Sequence, residues 1–136
     1  MANTFGYGAM TNSINDIINS KAVLIIGSNP AENHPVGMQH ILRAKEHHGA
    51  KIIVVDPRYT KTAAKADYYV RVRPGTDIPF MYGMINLIIQ NGWDDKDFYL
   101  NRVYGMEKAI EESKKYTPEV VQDITGVPAA LLREVT

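Results

Sequence analysis

Three short runs rich in β-branched and aromatic residues punctuate the first half of the chain: Ala22 to Ile26 (AVLII), Lys51 to Val55 (KIIVV) and Tyr68 to Val72 (YYVRV). The first two are nearly unbroken apolar runs bounded by turn residues, the pattern of parallel strands buried on both faces by helices. Between them, within Pro35 to His48, Met38, Ile41 and Leu42 fall at helical spacing; Pro35 suits a first turn and Gly49 a C-terminal stop. This predicts a β-α-β unit. A shorter helical stretch around Thr62 to Ala66 leads to the third strand. After Gly75, residues Ile78, Met81, Tyr82, Ile85, Ile88 and Ile89 recur every three or four positions and stop at Asn91-Gly92, predicting a helix whose broad apolar face covers the sheet.

Downstream the pattern is helical and local. Asp95 to Val103 and Met106 to Tyr116 read as helices, and Thr117-Pro118-Glu119 as an N-cap with proline at the first helical position. Val127-Pro128 opens a further start, in which Leu131 and Leu132 await a partner surface when the sequence reaches Thr136. Thr4 to Met10 (TFGYGAM) reads as a loop inside a larger protein, so the chain is expected to be an excised piece. No internal repeat or low-complexity tract interrupts it. The expectation is therefore an α/β fold: a parallel sheet of at least three strands flanked by helices, with a helical C-terminal part, forming one domain over residues 1–136.

Composition narrows the partners. Fifteen basic residues balance fifteen acidic ones, without the basic excess of a protein that grips a nucleic-acid backbone, so no nucleic acid is expected. No apolar run approaches the ~20 residues that span a bilayer, so no direct membrane insertion is expected, and Met1 to Gly8 lack the basic and apolar regions of an export signal. Compartment is left unassigned between the cytoplasm and periplasm of a prokaryote. With no cysteine, these residues hold no disulfide, cysteine-ligated iron–sulfur cluster or thiolate metal site.

Ligands of open α/β sheets bind beyond the carboxyl ends of the strands, which directs attention to the loop after each run. Gly27-Ser28-Asn29-Pro30-Ala31-Glu32-Asn33-His34-Pro35 sets glycine, small polar side chains and backbone amides just before a helix, a setting that suits a diphosphate. The G-x-G-x-x-G fingerprint is missing, which weakens an ordinary NAD-binding reading. Turns at Asn29-Pro30 and an N-cap at Asn33 account for the same residues equally well. Asp56-Pro57-Arg58 offers a carboxylate for ribose hydroxyls and an arginine for a phosphate or base, against the alternative of an Asp-Pro turn with a surface arginine. In Arg73-Pro74-Gly75-Thr76-Asp77, Gly75 permits close backbone approach and Asp77 suits two adjacent donors on a guanine edge, while Thr76 or Asp77 as a helix cap is the alternative. Emergence of all three loops on one sheet edge favours the functional reading.

Other polar groups point to less. His47 and His48 are adjacent and complement a helix C-terminus, and His40 and His47 lie a heptad apart without a carboxylate or thiolate to complete a metal set; only His34 sits in a candidate loop. Glu111-Glu112-Ser113-Lys114-Lys115 reads as a solvated helix face. No serine or threonine has an evident base partner, so nucleophilic catalysis finds no support.

Taken in order, Phe5-Gly6-Tyr7-Gly8-Ala9-Met10-Thr11-Asn12-Ser13-Ile14-Asn15-Asp16-Ile17, the Gly27 to Pro35 loop, Val55-Asp56-Pro57-Arg58 and Arg73-Pro74-Gly75-Thr76-Asp77 resemble consecutive motifs of formate dehydrogenase catalytic (alpha) subunits in the molybdopterin oxidoreductase family. Thr117-Pro118-Glu119 and Asp123-Ile124-Thr125-Gly126-Val127 are similar to that family too. The resemblance implies a Rossmann-like domain that holds one of two molybdopterin guanine dinucleotides (bis-MGD). It sets Gly27, Ser28, Asn29, Glu32 and Asn33 along the diphosphate and neighbouring sugar, Asp56 and Arg58 near the ribose and guanine, and Gly75 and Asp77 at the guanosine end.

The same resemblance implies a parent oxidoreductase that takes two electrons and a proton from formate at molybdenum or tungsten, yields carbon dioxide and passes electrons through an iron–sulfur cluster. Implied partners are the remaining domains of the catalytic subunit and an iron–sulfur electron-transfer subunit. In the family the metal ligand is a cysteine or selenocysteine, usually followed by histidine, shortly before the G-x-G-A-M-T-N segment. Neither precedes that segment here, and the active-site arginine and cluster cysteines have no counterpart, so this piece is expected to carry no catalytic residue and no metal ligand and to be inactive alone. Three alternatives stand beside this expectation: another molybdoenzyme such as a nitrate reductase, a cofactor-free structural electron-transfer subunit like the large subunit of respiratory complex I, and a self-contained NAD or FAD module.

Overall fold

The computed structural model describes Gly8 and residues 11–136; apart from Gly8, the Thr4 to Met10 segment lies outside the described residues. A 3-10 helix, Ile14–Asn19, is capped by Ser13, whose hydroxyl accepts from the Asn15 amide at 3.3 Å. The strands follow as read: β1 is Ala22–Ile26, β2 is Lys51–Val55 and β3 is Tyr68–Val70, two residues shorter than its apolar run. Their order is β1-β2-β3 and both pairs are parallel, with Val23 opposite Ile52, Ile25 opposite Val54 and Val54 opposite Tyr69. Between β1 and β2 lie a single turn, α1 (Pro30–Asn33), and α2 (Pro35–His48), whose Met38, Ile41 and Ala44 are buried. The stretch before β3 is a 3-10 helix, Ala63–Lys65.

Alternation along β2 divides the core. Ile52 and Val54 meet Ile25, Met38, Ile41 and Ala63 on one face, whereas Ile53 and Val55 meet Val70, Phe80, Leu87, Val121 and Leu132 on the other. The second face is covered by α3 (Asp77–Asn91), with α6 (Pro118–Thr125) and α7 (Ala129–Val135) packed outside it. Gly83 makes that contact close: a Cβ there would stand 2.7 Å from Val121 Cγ2 and 3.1 Å from Leu132 Cδ2. Thr117 caps α6 through its hydroxyl, with Pro118 at the first position as the sequence predicts. Two further helices, α4 (Lys96–Arg102) and α5 (Met106–Ser113), lie between, and Asp95 caps α4 by accepting from Phe98 N at 3.0 Å.

Two expectations are corrected. Strand β1 is not buried on both faces: Leu24 and Ile26 are 38% and 37% exposed. It is one of the two edge strands, and α3 lies over β2 and β3 and reaches no farther than a cleft beside β1. Leu131 and Leu132, in turn, need no outside surface, because Leu132 is fully buried in the core and Leu131 packs against it.

Asp67 ties the start of β3 to β2 and α2. Its carboxylate accepts from Ile52 N at 2.9 Å and pairs with Lys45 Nζ at 3.0 Å, while its own amide donates to Ile52 O at 2.8 Å. Burial pushes this carboxyl up, but the Ile52 amide and the Lys45 ammonium outweigh it and hold it below the usual 3.8. A depressed folded-state pKa gives stability that is present above the unfolded value and lost as pH falls through the folded one. Asp67→Asn is therefore expected to cost about 1 kcal/mol near neutral pH. Urea unfolding should show that difference closing as pH falls through and below the ordinary carboxylate range; a difference constant with pH would reject the charge as its source.

Candidate functional site

The three loops do meet. Beyond the strand ends and beside the start of α3 lies a cleft of about 540 Å³, reached by Gly27 from the first loop, Pro57 from the second, and Val72 and Asp77 from the third. Its walls are apolar: Ile26 and Val55 from the sheet, Val72 from the third loop, and Ile78, Met81 and Ile85 from α3. The floor suits a flat, weakly polar group, and a charged group is accommodated only at the rim, where the backbone and Asp77 are.

Each loop is shaped by its own bonds. Gly27 continues the ladder by donating to Val55 O at 3.0 Å and then turns with φ +60, a left-handed conformation that side-chain-bearing residues rarely adopt. In the second loop, Asp56 Oδ1 accepts from Arg58 N at 2.8 Å, so the Asp-Pro turn is real. Tyr69 on β3 holds that loop, its hydroxyl donating to Asp56 O at 3.0 Å, and Tyr59 stands edge-on to the Tyr69 ring at 5.0 Å. In the third loop, the Arg73 amide donates to Thr125 O at 2.9 Å and its Nη1 to Asp123 O and Ile124 O at 2.7 and 3.1 Å. Arg73 thus serves the C-terminal carbonyls of α6, the end of a helix that a cation complements. Gly75 follows at φ +80, and the Thr76 hydroxyl donates back to Arg73 O at 2.7 Å.

The nine sequence-designated residues separate by what their side chains already do. Asn29 and Glu32 are engaged with each other, and Glu32 also pairs with Lys61 at 3.0 Å. Lys61 above all, and then Asn29, hold the Glu32 carboxyl below the ordinary carboxylate range. By contrast, the side chains of Ser28, Asn33, Arg58 and Asp77 make no hydrogen bond or ion pair with any described residue. Thr76 makes no side-chain cap for α3, which removes half of the capping alternative for that loop. Asn33 lies apart from the main cleft, in a hollow of about 470 Å³ shared with Ile14 and the first turn of α2.

The first loop also differs from expectation in its backbone. Prolines 30 and 35 have no N–H, Ala31 N donates to the Thr62 hydroxyl at 3.0 Å, and Glu32 N and Asn33 N both donate to Asn29 O at 3.0 and 3.1 Å. The amides of α1 close the turn instead of opening toward a ligand. Thr62, fully buried, is the residue that sequence reasoning passes over; a threonine in an Ala- and Lys-rich stretch gives no local signal of a contact thirty-one residues upstream. Among the described residues, no group of three or more histidine, aspartate or glutamate side chains has metal-binding geometry, and no helix is long and apolar enough to cross a membrane.

A parallel sheet flanked by helices, with loops from all three carboxyl ends converging on one cleft, defines an open α/β domain whose cleft lies where such folds hold their ligands. Residues 2–131 match the molybdopterin oxidoreductase family, and the chain belongs to that family. It is 50% identical over 134 residues to the alpha subunit of F420-dependent formate dehydrogenase from Methanocaldococcus jannaschii, covering 98% of this chain and 20% of that protein. To formate dehydrogenase H of Escherichia coli it is 43% identical over 129 residues, 95% of this chain and 18% of that protein. Acetylene hydratase from Pelobacter acetylenicus has the same fold, with a TM-score of 0.75 and 34% identity over 89% of this chain and 18% of that one. The chain thus spans about a fifth of the length of these relatives.

Proposed function

We propose that this chain holds one guanine dinucleotide arm of a bis-MGD cofactor within a molybdenum- or tungsten-dependent formate dehydrogenase alpha subunit. The observation that carries this reading is the convergence of three strand-end loops on a single cleft, with the uncommitted side chains of Ser28, Arg58 and Asp77 on those loops. Their chemistry fits the group. Ser28 supplies a small polar contact for the diphosphate and the Gly27 carbonyl an acceptor for the neighbouring sugar, Asn33 stands apart in its own hollow, Asp56 and Arg58 flank the ribose and base, and Gly75 and Asp77 take the guanosine end. Asp77 offers a carboxylate to the paired donors of a guanine edge, beside an apolar wall suited to the base. Asn29 and Glu32 build the loop on which these contacts depend.

When bound, the metal centre supplies two-electron redox chemistry; this chain's residues bind and orient the nucleotide end and exclude water from it. The catalytic residues and metal ligand belong elsewhere in the subunit, as does the route through an iron–sulfur cluster to an electron-transfer subunit, and the isolated chain is inactive. Residues 1–136 act as one dinucleotide-binding domain of that larger subunit. Leu24, 38% exposed on an edge strand where α3 does not reach, supports packing against its remaining domains. Likeness to an acetylene hydratase favours a second reading for the substrate alone: the same domain serves another reaction, and substrate choice is made outside these residues.

Metal analysis of the native full-length protein, release of its nucleotide and a formate-dependent dye-reduction assay test the proposal together. Molybdenum or tungsten with guanine nucleotide and formate activity is the expected result. Metal and guanine without formate activity would keep the binding role and move the substrate. Absence of both would overturn the reading in favour of a cofactor-free structural subunit.

A further inference from the structure

We propose that Thr62 is a positioning residue for the loop after β1, a buried latch that sets the shape of the nucleotide-facing segment without touching the ligand. The Thr62 side chain is 0% exposed, and its hydroxyl works in both directions. It donates to Asn29 Oδ1 at 2.7 Å and accepts from Ala31 N at 3.0 Å, bridging two residues of the first loop from the loop after β2. Asn29 then passes the constraint on, its Nδ2 donating to Glu32, which in turn holds Lys61, the neighbour of Thr62. The circuit is closed: the loop after β1 and the loop after β2 are fastened at two adjacent positions, one buried and one exposed.

The platform beneath the hydroxyl is rigid. Thr60 is buried and its Oγ1 accepts from Ala63 N at 3.1 Å, while Ala64 N donates to Thr60 O at 3.0 Å, so the turn that carries Thr62 is itself capped. Ala63 belongs to the core cluster of Ile25, Ile52 and Val54. A single hydroxyl therefore transmits the position of the sheet core to Asn29 and Ala31. Only a side chain that donates and accepts from the same atom serves both partners, which valine of the same shape does not.

The test compares Thr62→Val with Thr62→Ser in the 136-residue chain by residue-resolved amide hydrogen exchange, with guanosine diphosphate binding as a second readout. In Thr62→Val the Ala31 amide is expected to exchange about tenfold faster, while Ile52 to Val55 keep their protection; Thr62→Ser restores Ala31 to within about threefold. Equal slowing or quickening at all amides would reduce Thr62 to general packing and overturn the latch, as would unchanged exchange at Ala31. If Thr62→Val does not fold, Thr62→Ala, which introduces no bulk, is read by the same criterion. The binding readout rests on the function proposed above: the valine variant should bind guanosine diphosphate about tenfold more weakly than the serine variant. Failure of the unsubstituted chain to bind it counts against the nucleotide role, whereas the exchange result at Ala31 decides the latch in either case.

Discussion

Phe80→Ala is expected to lower the stability of the chain by about 3–5 kcal/mol, the usual cost of emptying a fully enclosed aromatic site. Phe80 is 0% exposed and lies in the cluster that joins Ile53, Val55 and Val70 of the sheet to Val121 and Leu132 of the outer helices. With Leu87, it is the part of α3 buried in that cluster. Against a total stability of about 5–15 kcal/mol for an ordinary domain, such a loss leaves little in reserve. Because Asp77, Ile78 and Met81 line the cleft from the same helix, the wall of the site should loosen with the core. Urea unfolding followed by far-ultraviolet circular dichroism measures the change. A loss below about 1 kcal/mol would mean that the surrounding side chains collapse into the space, and that α3 is held chiefly by α6 and α7.

Asp77→Ala in the full-length subunit should separate binding from folding. The Asp77 side chain is exposed, has no partner among the described residues and lies at the first turn of α3, so its removal should cost at most about 1 kcal/mol of stability through the lost helix-dipole interaction. A carboxylate hydrogen-bonded to guanine donors contributes about 1.5–3 kcal/mol, which corresponds to about ten- to a hundredfold in affinity. The expected outcome is a protein with a near-normal melting profile whose guanine nucleotide and metal content falls sharply after gel filtration. Asp77→Asn, which keeps one acceptor and loses the charge, should lie between. Full nucleotide and metal occupancy in the alanine variant would remove Asp77 from the site.

Much of the scaffold was legible along the chain because it depends on neighbours in sequence. The runs AVLII and KIIVV became β1 and β2, Pro35 and Gly49 bounded α2, and Thr117-Pro118 opened α6 where the capping pattern placed it. The order of strand, loop and helix was enough to bring Gly27, Pro57 and Asp77 to one edge, since parallel strands joined by crossovers present their carboxyl ends together. The Asp56-Pro57 turn, which local chemistry offered only as the alternative to a ligand contact, is realised by the bond from Arg58 N to Asp56 Oδ1.

What the sequence by itself determined, then, was the α/β class, the three strands and the longer helices, though not the single turn α1 or the 3-10 helix Ile14–Asn19, together with the three candidate loops and the family resemblance carried by their order. Only the tertiary structure decided which polar residues have no partner among the described residues. Asn29, Glu32 and Arg73 look as available to a ligand as Ser28 and Asp77 do in a string of letters, yet the first two close the loop onto Thr62 and Lys61, and the third serves the end of α6. The exposed face of β1 and the tight seat at Gly83 were equally hidden, because both depend on which helix lies over which strand. Periodicity records the alternation of buried and exposed positions within an element; hydrogen bonds and packing between residues thirty or fifty positions apart are settled only when the chain brings them together.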